Sequence, residues 1–216
     1  MTEASERAGT LAASTGNFAA LVADGTPTPG GGSVAAYTSQ LAAALGTMVC
    51  NLTAGKPKFS TVESRILEIR AGLEKLSDKL ASLIDEDAAS FQQVMSAYKL
   101  PKASEPEIAA RNAKINIALE RAIAVPLQTM ESSLELLKLI EELSRIGNPN
   151  ALSDVATAAQ LAKAAMKGAY YNVAINVGSL SNPEAGAQTS ERARDMIDQS
   201  ESFASRIDGT FMKGAA

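Results

Sequence analysis

The sequence predicts an all-α protein, an up-and-down bundle of long antiparallel helices, and three observations carry that prediction. No stretch alternates β-branched and polar residues with period two, so no strand is expected. Pro27, Pro29, Pro57, Pro101, Pro106, Pro149 and Pro183 all fall in gaps between periodic segments, where a missing N–H does least harm. Finally, Val62, Ile66, Ile69, Leu73, Leu76, Leu80 and Leu83 follow one another in steps of four and three, the seam of a helix in a left-handed bundle.

Six helical segments follow in order: Thr10–Ala23, Ser33–Ala54, Thr61–Tyr98, Glu105–Ile146, Ser153–Leu180 and Glu184–Met212. The first ends before the Pro27/Pro29 break. Ser33 follows three glycines and is expected to cap the second; Ser60 or Thr61 is expected to cap the third, and Ser153, with Asp154 in the first turn, the fifth. Pro126 alone falls inside a pattern and is expected to kink the fourth helix without ending it. Short connections make neighbours antiparallel, and 216 residues without an internal repeat fit one domain.

Composition narrows the function. The net charge of −4, 4% aromatics and no tryptophan leave little for tracking phosphates or stacking bases, so no nucleic-acid partner is expected. One cysteine, Cys50, cannot form an internal disulfide and is expected as a small buried side chain. Met1 to Gly9 shows no secretory pattern, which suits a cytoplasmic protein. Asp24 to Lys56 holds no charge in between, yet Tyr37, Gln40, Thr47, Asn51 and Thr53 interrupt it, and it reads as a buried bundle helix with no membrane partner. There is no histidine, so proton transfer falls to Asp, Glu, Lys, Tyr or water, and no metal site is expected.

Three polar features stand out. The next step of four in the third-helix seam lands on Asp87, before Phe91, Val94 and Tyr98 resume the row. A carboxylate there is either a structural polar pair or part of an internal pocket, where burial raises its pKa. Asn172 and Asn176 sit one turn apart among apolar residues of the fifth helix and need partners, in the bundle or on a ligand. Gly147, Asn148, Pro149, Asn150, Ser153 and Asp154 form a polar helix start, fit for ordinary capping or for holding an anionic or carbonyl group. The Gly30-Gly31-Gly32-Ser33 turn lacks the following Lys of a phosphate loop and the preceding strand of a dinucleotide site; its glycines allow close backbone approach.

Thr26-Pro27-Thr28-Pro29-Gly30-Gly31-Gly32-Ser33-Val34-Ala35-Ala36, followed by Met48-Val49-Cys50-Asn51-Leu52-Thr53-Ala54-Gly55-Lys56, resembles the formiminotetrahydrofolate cyclodeaminase / methenyltetrahydrofolate cyclohydrolase family. Asp87 to Phe91, Met95 to Lys102, Ala122 to Leu127, Gly147-Asn148 with Ser153-Asp154, and Ala169 to Val177 extend the likeness over nearly the whole chain. The chain looks most like the stand-alone bacterial cyclohydrolases. The resemblance implies an all-helical homodimer that binds tetrahydrofolate derivatives as substrates, with no metal and no further cofactor. It leaves two reactions open, hydrolysis of 5,10-methenyltetrahydrofolate to 10-formyltetrahydrofolate and release of ammonia from 5-formiminotetrahydrofolate; a folate-binding protein without chemistry is a third possibility.

On the cyclohydrolase reading, Asp87 and Asp154 are candidates to attract the cation and take a proton from water, and Lys56 to polarise the formyl oxygen or deliver a proton. Gly31, Gly32, Ser33 and Asn51 are candidate contacts to the pterin or reacting carbon, with Asn150 and Ser153 further substrate contacts. The Gly turn and Lys56 stand at opposite ends of one helix, about 30 Å apart at 1.5 Å per residue. The site is therefore either elongated or shared between subunits.

Overall fold

The computed structural model describes residues 15–214, which hold helices and no strand. Six α-helices run in chain order: α1 (Thr15–Ala23), α2 (Gly31–Thr53), α3 (Glu63–Tyr98), α4 (Glu105–Ile146), α5 (Leu152–Val177) and α6 (Pro183–Gly214), with short 3-10 turns at Pro57–Phe59 and Pro149–Ala151. The expected helices match these, although residues 10–14 of the first, and the N-terminal stretch read for a signal, lie outside the described residues. No helix among the described residues is long and apolar enough to cross a membrane.

Helices α2 to α5 form a four-helix square. Both α3 and α5 pack on α2 and α4, which leaves α3 and α5 facing each other across a diagonal, while α6 covers α4 and α5. The square is tight around α2 because that helix is built from small residues. Ala35, Ala36, Ala42 and Ala43 are buried, and Gly46 nests against Leu73 of α3 and Ile140 of α4. Cys50 is fully buried, and burial pushes its thiol up to about 11, so it stays a neutral packing group.

The α3 seam is buried from Ile66 through Leu83. Beyond that the row opens: Val94 is covered, but Phe91 and Tyr98 are 38% and 43% exposed instead of packed in the core. A small second apolar cluster of Val94, Ala97, Ile115, Ala118, Leu119 and Ala122 ties α3 to α4 at this end.

The helix starts depart from expectation. Ser33 does not cap α2; Gly30 holds that position with no side-chain bond, and Ser33 lies inside the helix, fully buried. The position before α3 is Val62, and Glu63 instead accepts from the Gly55 N–H at 3.0 Å. Ala151, not Ser153, precedes α5, because the helix starts at Leu152 directly after the Pro149–Ala151 turn and takes Ser153 into its first turn. The one complete capping box among the described residues is Ser104 with Glu107 at the start of α4, an S-x-x-E pattern that was not among the expected caps. Helix α4 runs through Pro126 without ending.

A Cβ at position 46 would stand 2.6 Å from Ile140 Cδ1 and 2.8 Å from Leu73 Cδ1. Gly46→Val is therefore expected to destabilise the bundle by about 1–3 kcal/mol through overpacking. The midpoint of urea unfolding checks this, and an unchanged midpoint would show that α2 can move away from its neighbours.

Candidate active site

At the end of the bundle where α2 begins, a cleft of 360 Å³ opens between α2, α3, α4 and α5. The turn before α2 closes one side with Pro27, Thr28 and Gly30, the peptide between Thr28 and Pro29 being cis. Phe91, Val94 and Tyr98 of α3, Leu119 of α4 and Ile175 of α5 give apolar walls, and Asp87, Asn172 and Asn176 supply polar groups. An apolar cleft with a few placed polar groups is the usual form of a small-molecule site.

Asp87 is held by the first turn of α2. The Ser33 backbone N–H donates to its carboxylate, and Ser33 Oγ lies 3.0 Å from Oδ2 and 2.9 Å from the Ile84 carbonyl oxygen. The carboxylate thus caps α2 from a neighbouring helix, on a serine that its own helix start leaves uncapped. This approach requires a glycine: a Cβ at position 32 would sit 2.5 Å from Asp87 Cγ and 2.7 Å from Oδ2. The N–H groups of Gly31 and Gly32 have no carbonyl one turn back within the helix and add positive potential beside the carboxylate.

Burial pushes the Asp87 pKa up from the ordinary carboxylate range, and the bonds from Ser33 oppose it. Both protonation states can be held. When ionised, Asp87 accepts from Ser33 Oγ; when protonated, its O–H can donate to Ser33 Oγ, which then donates to the Ile84 carbonyl. A carboxyl that keeps its partners in either state, inside a cleft, is equipped to pass a proton.

Sequence reasoning named Gly31, Gly32, Ser33 and Asp87, and the fold brings these four together at the cleft. The other candidates stand at the opposite end of the bundle. Lys56 is exposed between Gly55 and the Pro57–Phe59 turn. Asn51 is exposed and accepts from Arg70 Nη1 at 3.2 Å. Asn150 and Ser153 are exposed and Asp154 half-buried, around the start of α5. Asn148 binds this end together, its N–H donating to Thr53 Oγ1 at 3.0 Å and its Nδ2 to the Leu52 carbonyl at 3.1 Å. One chain therefore does not bring Lys56 or Asp154 to Asp87; the length of α2 separates them by about 30 Å. Asn172 and Asn176, which stood out in the sequence without being counted as site residues, do line the cleft.

Comparison with known proteins gives the family and the fold. Residues 14–195 match the formiminotransferase-cyclodeaminase family. The chain is 41% identical over 159 residues to a methenyltetrahydrofolate cyclohydrolase of Methylorubrum extorquens, covering 74% of this chain and 76% of that one. It is 34% identical to the formimidoyltransferase-cyclodeaminase of Rattus norvegicus over 84% of its own length, but it spans only 34% of that relative. The fold matches the crystal structure of formiminotetrahydrofolate cyclodeaminase from Thermotoga maritima with a TM-score of 0.85 and 30% identity, over 94% of this chain and 98% of that one.

Because its pKa is raised, folded Asp87 holds a proton more tightly than the unfolded chain does. Its contribution to stability therefore falls as pH rises from the unfolded value near 3.9 through the folded value, and stays lost at neutral pH. Asp87→Asn removes that cost. Relative to the parent, the variant is expected to gain stability at pH 7 and to lose this gain at about pH 3.5, below the unfolded pKa. Urea unfolding at the two pH values measures it, and a variant that fares relatively better at the lower pH would contradict the raised pKa.

Proposed function

This chain belongs to the formiminotransferase-cyclodeaminase family, and from that membership and the Asp87 cleft we propose that it is a methenyltetrahydrofolate cyclohydrolase, hydrolysing 5,10-methenyltetrahydrofolate to 10-formyltetrahydrofolate. The single observation that carries the reading is a half-buried carboxylate of raised pKa, seated on a helix N-terminus in a cleft with flat apolar walls. Phe91, Tyr98 and Ile175 suit planar rings, and the carboxylate suits a cation.

Water adds to the electrophilic carbon between N5 and N10, and Asp87 takes a proton from it. The bond from that carbon to N5 then breaks, the added hydroxyl becomes the formyl oxygen by losing its proton to solvent, and Asp87 returns its proton to N5. The net change consumes one water and releases one proton. The free N–H groups of Gly31 and Gly32 stabilise the oxygen as it gains charge, and Ser33 keeps Asp87 aimed. Orientation, one base and one donor suffice for a substrate that is already cationic, so the reading calls on no metal or further cofactor.

The enzyme is then a cytoplasmic homodimer. Leu41, Met48 and Leu52 leave an exposed apolar face on a helix that carries no charge, which suits burial against a second copy. On this reading Lys56 and Asp154, with Asn51, Asn150 and Ser153, act at the cleft of the partner subunit. Lys56 polarises the formyl oxygen there, Asp154 adds negative charge near the cation, and the three polar side chains hold the substrate.

The cyclodeaminase reaction is the second reading, favoured by the fold and 30% identity shared with the Thermotoga maritima protein. It uses the same cleft, with Asp87 donating to the departing ammonia. Supplying each folate and following absorbance of the methenyl compound separates the two: it disappears in the first reaction and appears in the second.

Asp87→Asn is expected to lower kcat by about 100-fold or more, the usual contribution of a positioned general base. The parent's kcat should fall toward acid pH with a midpoint above the ordinary aspartate range, since the base must be ionised. Mixing Asp87→Asn with Lys56→Met subunits tests the shared site. Random exchange makes half the dimers mixed, each with one intact site, and restores about a quarter of parental activity. No recovery from two inactive variants would refute the site shared between subunits, while a fully active Asp87→Asn would remove the mechanism.

A further inference from the structure

A proline in α4 fixes the orientation of an amide on α5. Pro126 has no N–H to donate to the Ala122 carbonyl, its partner one turn back. That carbonyl is taken instead by Asn176 Nδ2, which reaches across from α5 at 3.0 Å. A backbone carbonyl can only accept, so the NH2 end of Asn176 faces α4 and its Oδ1 is turned away. Asn172 is anchored too, its Nδ2 donating to the Gly168 carbonyl of its own helix at 2.9 Å, which likewise leaves its Oδ1 as the free end of the amide. Both residues line the cleft, and neither Oδ1 accepts a hydrogen bond among the described residues. Two amide acceptors thus stand one helical turn apart, about 5–6 Å between Cβ atoms.

We infer that Asn172 and Asn176 form a two-acceptor edge that selects the reduced pterin ring by its 2-amino group and N8–H, which rests on the cleft being the tetrahydrofolate site proposed above. In a tetrahydropterin these two donors flank N1 and project from one edge of the bicycle. N5, which bears the reacting carbon, lies on the opposite edge. With the donor edge along α5, N5 faces α3 across the bundle diagonal, where Asp87 stands. A fully oxidised pterin has no hydrogen on N8; its lone pair would meet an amide oxygen, and neither could donate. The edge therefore discriminates by oxidation state of the ring and sets which way the substrate lies.

The test separates recognition from folding. Asn172→Leu removes one acceptor of similar size, and the Gly168 carbonyl keeps its own helical bond. Asn176→Leu alone would strand the Ala122 carbonyl, so it is made together with Pro126→Ala, which restores the missing N–H. Titration calorimetry of the full chain with 6-methyltetrahydropterin and 6-methylpterin should show the parent preferring the reduced ring by at least about tenfold, roughly 1.4 kcal/mol. Each variant should lose most of that preference, and kcat/KM for the methenyl compound should fall about tenfold. Variants that melt like the parent and keep its preference would overturn the inference. If the parent turns over neither folate yet shows the preference, and the variants lose it, the acceptor edge stands and the assigned reaction fails. If the parent hydrolyses the methenyl compound and the variants still discriminate, the reaction stands and the edge fails.

Discussion

The contact between the Asp87 carboxylate and the first turn of α2 is the interaction on which the site depends. It settles three things at once. It satisfies a helix start that has no side-chain cap of its own, it fixes α3 against α2 where the bundle begins to open, and it holds a carboxyl whose charge is costly to bury. Each requirement constrains a particular residue. Position 32 must lack a Cβ, position 33 must carry a hydroxyl able to serve either protonation state, and position 87 must fall on the seam that elsewhere carries leucine and isoleucine. The stabilisation from the helix dipole is of the order of 0.3–2 kcal/mol, less than full burial of a charge costs, so the raised pKa is the expected residue of the balance.

Much of this is legible in the chain because periodicity reports which face a residue occupies. The four-three seam by itself turns Asp87 inward, and the amides at 172 and 176 stand out among alanine and valine for the same reason. The helix starts are not legible. Ser33 looks like a cap after three glycines, yet a serine can equally serve as donor to another helix, and only the position of α3 decides. At α5 the prolyl 3-10 turn displaces the cap by local geometry that composition does not encode. The link from Pro126 to Asn176 joins residues far apart in sequence, and no local pattern announces it.

The two ends of α2 illustrate a second limit. The Gly turn and the Asn51–Lys56 stretch are the strongest motifs of the sequence, and a motif reading treats them as one site. A straight helix keeps them apart within one chain. What they share is the uncharged helix between them, whose outward face of Leu41, Met48 and Leu52 is apolar and exposed. Motif strength carries no information on whether the two ends meet in one chain or across two.

The α3 seam changes occupation halfway along. From Ile66 to Leu83 its partners are side chains of the bundle; from Asp87 to Tyr98 the same stripe faces an open cleft, backed only by the small cluster around Leu119. A flat apolar ligand in that space takes the place of a missing layer of core. On the proposed function, ligand binding and cohesion of this end of the bundle are one equilibrium: a substrate in the cleft slows the local opening that lets amide hydrogens of α3 and α4 exchange with solvent.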